Sequence, residues 1–123
     1  MHQTVNWLPA PENHDYQAAE DYLSLVMPAK KAAEYREMLY EARDEVTHRK
    51  AKDILRASRL SLLGQDNKYV AADLSKAASG TPLSPILLVR GNAKRPLLVA
   101  DGYHRVCASY WIDEDTDIPC ILV

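Results

Sequence analysis

The chain has 123 residues, 47% of them hydrophobic and 26% charged, which is the size of one domain and a composition that excludes global disorder. Fifteen basic against 17 acidic residues leave a net charge of -2, so no global field draws in duplex DNA, and nucleic acid is not an expected partner. No apolar run approaches the roughly 20 residues of a membrane span, and the opening MHQTVNWLPAPENHDY lacks the apolar core of a signal peptide, so the expected location is cytoplasmic with no membrane contact.

The character of the sequence changes near residue 50. Before it the pattern is helical. DYQAAEDYLSLVM sets Tyr16, Ala19, Leu23 and Val26 on one helical face with Asp15 as N-cap. Pro28 stops that helix and opens a second, to Arg43, with Ala32, Tyr35, Met38, Leu39 and Ala42 at helical spacing. The pair reads as a helical hairpin, so residues 1–50 form a helical N-terminal extension packing on residues 51–123, in one folded unit. KDILRAS suits a short strand or a helical turn. LSLLGQDN is a loop by its Gly64, Asp66 and Asn67, and a helix of roughly ten residues follows, closed by Gly80.

SPILLVR and LLVA are apolar runs of strand length joined by the polar turn GNAKRP, a hairpin pattern. YHRVCASYWI then turns Tyr103, Val106, Cys107, Tyr110 and Trp111 to one helical face, DEDTD is an acidic linker, and IPCILV is a last strand. The fold class is α+β: a small sheet with packed helices, preceded by the helical hairpin. Cys107 and Cys120 form no metal-ligand pair and read as buried small residues. His2, His14, His48 and His104 lack zinc-site spacing. The cluster HRKAKD reads as a solvated face, with a second phosphate clamp or a weak nucleic-acid contact as its functional alternative.

The candidate site is DGYHR, between a strand and a helix. Gly102 tolerates positive φ and close approach of a ligand to the backbone. The helix behind it offers N–H groups and a positive dipole end, a general phosphate seat. Arg105 adds a bidentate fork and His104 a donor or proton shuttle. Asp101 is the odd member, suited to holding Mg²⁺, to accepting a proton from a substrate hydroxyl, or to capping the helix. The bland reading of the same five residues is an Asp-capped turn with a solvated arginine.

From about Asp53 to Val123, the order of elements and the string PLSPILLVRG, PLLVADGYHRVCASYWI, IPCILV resemble the ParB/sulfiredoxin superfamily, a bacterial-type fold with a glycine-containing phosphate loop ending in arginine. The resemblance implies that residues 51–123 are a ParB/sulfiredoxin-like domain. Tyr103 stands where sulfiredoxin carries its attacking cysteine, so that chemistry is not implied. Partition-type ParB proteins carry Gly-Glu-Arg-Arg, bind CTP and continue into a DNA-binding helix-turn-helix; here the loop has one arginine. The loop is most similar to the Asp-Gly-His-His-Arg of the superfamily's free serine kinases.

That likeness implies a nucleotide (ATP, ADP or CTP) held by its phosphates at Gly102, Tyr103, His104 and Arg105. Asp101 and His104 are then the implied catalytic groups of a kinase-like, Mg²⁺-dependent phosphotransferase or NTP hydrolase, with Asp101 as the implied metal ligand. The kinases also use a glutamate after the first strand of the domain. The corresponding KDILRASRLSLLGQDN has only Asp53 and Asp66. The alternative is a non-catalytic regulatory module that keeps the fold and binds a protein partner or a second copy of itself through its helical part. A ParB-like nuclease is a third reading, disfavoured by the charge.

Overall fold

In the computed structural model, residues 4–123 are described; His2 and the first three residues of the expected extension lie outside them. The chain runs α1 (Asn13–Val26), α2 (Ala29–Glu41), β1 (Thr47–Lys50), α3 (Ala51–Ser58), α4 (Lys68–Ala78), β2 (Ile86–Val89), β3 (Leu98–Asp101), α5 (Tyr103–Ile112) and β4 (Asp117–Leu122). The class is α+β as expected. One mixed four-stranded sheet has the order β1-β4-β2-β3. β2 and β3 pair antiparallel, β2 and β4 parallel, and β1 lies antiparallel on the outer side of β4.

The sheet is covered on both faces, which explains why ILLV is apolar without alternation. Ile86 and Leu88 join Val99, Ile118 and Cys120 in a core shared with Ile54, Val70 and Val106 of α3, α4 and α5. Leu87 and Val89 face the other way and pack with Leu98, Ala100 and Ile121 against Tyr16, Ala19 and Leu23 of α1 and Leu39 of α2. The molecule is therefore three layers, with two N-terminal helices on one side of the sheet and three later helices on the other.

Several local expectations change. α1 begins earlier than its apolar stripe: Glu12 is the N-cap and Asp15 is the third helical residue, the two exchanging hydrogen bonds in a capping box. Val26 and Met38 are exposed, outside the Tyr16, Ala19, Leu23, Ala32 and Leu39 cluster that meets the sheet. KDILRAS is helical, with Ile54 and Leu55 buried. The preceding THRK is an edge strand with all four residues exposed. Its basic side chains do stay in solvent, and Lys50 and Lys52 lie 3.7 and 2.8 Å from Asp115 in the acidic linker. The helix ahead of Gly80 is as read, with the Asn67 side chain accepting from the N–H groups of Tyr69 and Val70.

Candidate functional site

Three elements meet at one end of the sheet. The β2–β3 register shifts between Leu87 and Leu88, so that Leu88 pairs with Val99 and Leu87 with Asp101. The extra residue, Ala100, is a bulge of the sort that re-aims the next side chain. Asp101 thus leaves the sheet plane at the mouth of α5. Gly102 follows at φ 110° and ψ 18° as the helix N-cap. A Cβ there would meet the Ile86 side chain and lie 3.0 Å from Arg105 Nη2, so the position requires glycine both for conformation and for space.

α5 begins immediately. Its first intrahelical bond runs from Val106 N–H to the Gly102 carbonyl, which places the N–H groups of Tyr103, His104 and Arg105 in the unpaired first turn. Gly102, His104 and Arg105 of this junction border a cleft of about 340 Å³. Its walls are the N-terminus of α1 (Glu12, His14, Asp15), one side of α4 (Tyr69, Asp73, Lys76), and the Ser84 turn with Asp101, Gly102, His104 and Arg105. Residues 6–8 run beside Leu83, with Leu8 N–H donating to the Leu83 carbonyl and Leu83 N–H to the Asn6 carbonyl, both at 2.8 Å. That strap delivers α1 to the site.

Arg105 is the hub. Its side chain is 13% exposed. Nη2 donates to Asp101 Oδ2 at 2.6 Å and Nη1 to the Ser84 carbonyl at 2.8 Å, and Nη1 lies 3.9 Å from Asp15 Oδ2. Asp15 is buried and accepts from the Glu12 N–H at 3.0 Å and from the Ser84 hydroxyl. Its other oxygen is 3.3 Å from His14 Nε2. Asp15 and Asp101 thus face one guanidinium. Burial, and to a lesser degree the Asp15 charge, push the Asp101 carboxyl above the usual carboxylate range although the Arg105 charge pulls it down. Burial also raises Asp73, against the opposing charges of Arg105, Lys76 and His104.

Of the residues singled out in the sequence, Asp101, Gly102, His104 and Arg105 line this cleft. Tyr103 does not: its hydroxyl donates to the Ser61 carbonyl, and its ring packs on the core beneath α5. His104 lies under Tyr69, with ring centroids 4.9 Å apart. Asp53 is on α3, facing Arg56 at 3.9 Å, and neither it nor Asp66 borders the cleft. Two of the carboxylates that line the cleft with Asp101 are instead Asp15 and Asp73. Sequence reasoning missed both, together with Ser84, Tyr69 and Lys76. Asp15 carried a helix-start signal, but nothing local ties residue 15 to residues 84 and 101.

Among the described residues, no three His, Cys, Asp or Glu side chains converge as a metal-ligand group, and Asp101 is committed to a guanidinium. This donor set does not fit a protein-held Mg²⁺. No protein-family model matches the chain, and no curated protein or solved structure is significantly similar to it.

Proposed function

We propose that the chain is a phosphate-binding domain of ParB/sulfiredoxin type that takes a nucleotide in the α5 cleft. The observation that carries the reading is the junction itself. A glycine N-cap at positive φ, a first helical turn of unpaired N–H groups, Arg105 and Lys76 converge on one cavity, the chemistry that seats a phosphate. Tyr69, 54% exposed beside His104, is a flat surface for a ribose or base.

The reading is tested by thermal shift with ATP, ADP, CTP, GTP and UTP, with and without Mg²⁺, since a ligand that binds only the folded chain raises its midpoint. A shift with one nucleotide that is weakened in Lys76→Ala supports it. No shift at millimolar concentration in the wild type rejects it.

One observation favours the non-catalytic form of this domain over the phosphotransferase. The Asp101 carboxylate is held by the Arg105 fork, so it is not free to act as a base on a bound phosphoryl group's acceptor. Nucleotide binding without turnover is the expected result. Release of inorganic phosphate that is abolished in His104→Gln with binding retained would reverse that choice.

A further inference from the structure

The charge balance of the cleft does not match a simple anion seat. Four carboxyl groups, Glu12, Asp15, Asp73 and Asp101, face two fixed cations, Lys76 and Arg105. The side chains of Asp15 and Asp101 are only 6% and 18% exposed, so their charges are poorly screened by water. Both sit against the guanidinium that an entering phosphate would have to share.

We infer that Asp15 decides which anions this site accepts: a phosphate or sulfate group enters beside Arg105 only as the Asp15–Asp101 pair takes up a proton, so that anion binding and protonation are one event. The inference rests on the phosphate-binding reading above and assigns a specificity role to a residue outside the segment that carries the family resemblance. Two poorly solvated carboxylates drawn to one guanidinium, at 3.9 and 2.6 Å, hold one proton more readily than two separate ones. A third negative charge brought to the same guanidinium makes that proton obligatory, because an uncompensated buried charge is the costliest alternative.

Other groups that titrate face the same point. α1 brings His14 and Glu12 beside Asp15, α4 brings Asp73 and Lys76, and α5 brings His104. A histidine that gains a proton would also strengthen anion binding in acid. The test must therefore separate carboxylate from imidazole.

Sulfate is a suitable probe because it remains a dianion over about pH 5.5–8 and adds no titration of its own. Binding is measured by calorimetry on the full chain in wild type, Asp15→Asn, Asp101→Asn and the double variant His14→Gln/His104→Gln, with far-UV circular dichroism as the check on folding. The asparagine amide oxygen at 15 can still accept from the Glu12 N–H and the Ser84 hydroxyl. The wild type is expected to bind sulfate about tenfold or more tightly at the acid end, the factor that one bound proton confers per pH unit. Asp15→Asn is expected to bind more tightly than wild type at the alkaline end and to lose most of that dependence. Asp101→Asn removes the other half of the pair and should flatten the profile likewise, which keeps the test decisive if Asp15→Asn does not fold. The histidine variant should keep the dependence.

A profile unchanged in Asp15→Asn and Asp101→Asn, or one abolished by the histidine substitutions, overturns the inference. If sulfate binding is weakened by Lys76→Ala but indifferent to Asp15, the phosphate site stands and the inference alone fails. Absence of sulfate binding in every variant at every pH rejects both.

Discussion

Arg105 holds a buried carboxylate, a half-buried one and a backbone carbonyl with one guanidinium, so its removal is felt through what it leaves behind. Arg105→Ala is expected to cost about 3–5 kcal/mol in urea unfolding, the range for stripping one partner from a buried ion pair. Arg105→Lys keeps the charge but not the fork and should recover only part of that loss. Gly102→Ala is expected to destabilise by at least about 1–3 kcal/mol through the left-handed backbone alone, with the overlap against Ile86 adding to it. Asp101 supplies the pH dependence at this scale. Its folded carboxyl is raised, chiefly by burial, so the folded chain keeps a proton that the unfolded chain has released above about pH 4. Stability from this group is full in acid and is lost as pH rises through the raised folded value. Urea melts of Asp101→Asn should lack that decline; if the decline persists unchanged, another group is responsible.

At the scale of elements, β4 and α4 make the clearest forecasts. Cys120 is wholly buried in β4, between β1 and β2, and burial pushes its thiol up to about 12. An unfolded thiol ionises near pH 9, so the stability Cys120 contributes is full below that point and falls by about 1.4 kcal/mol per unit towards pH 12. Cys120→Ala should remove this alkaline component, read by denaturant melts across the window. Asn67 caps α4 with two backbone hydrogen bonds, and Asn67→Ala should cost about 0.5–2 kcal/mol. The elements were the most legible part of the sequence. The strands at Ile86 and Leu98, the turn at Gly91, the helix closed by Gly80 and the one opened by Gly102 each announce themselves by local pattern. β1 did not. THRK carries no apolar alternation because both its faces are in solvent, and its pairing with residues 117–120 is a purely long-range fact. α1 began three residues early for a related reason: its capping box precedes the apolar stripe from which the helix is read.

For the whole molecule, the three-layer arrangement decides what can stand alone. Leu87, Val89, Leu98, Ala100 and Ile121 are covered by α1 and α2, and β1 supplies an edge to β4. A fragment of residues 51–123 would present that sheet face to water, and an exposed apolar patch of this kind drives aggregation. It is expected to show no cooperative thermal transition while the full chain does; a sharp transition in the fragment would make the helical part a dispensable appendage. The same arrangement explains how much of the site could be read in advance. The half carried by consecutive residues, Asp101 to Arg105, is visible as a motif. The half carried by α1 and α4 exists only once a helix from one side of the sheet and a helix from the other have been brought to the same strand end.

The sheet order has a consequence for how the chain acquires this shape. β4, latest of the strands in sequence, lies between β1 and β2 and bonds to both. Until it is made, the edge strand has nothing to pair with and the β2–β3 hairpin exposes its parallel edge. The sheet must therefore wait, partly assembled and with open backbone donors, for residues 117–122. Such late closure of distant contacts is slow. The newborn chain passes through a sticky stage, and a substitution that only delays β4, such as a charge in place of Ile118 or Ile121, should lower the yield of folded protein more than its effect on equilibrium stability would suggest.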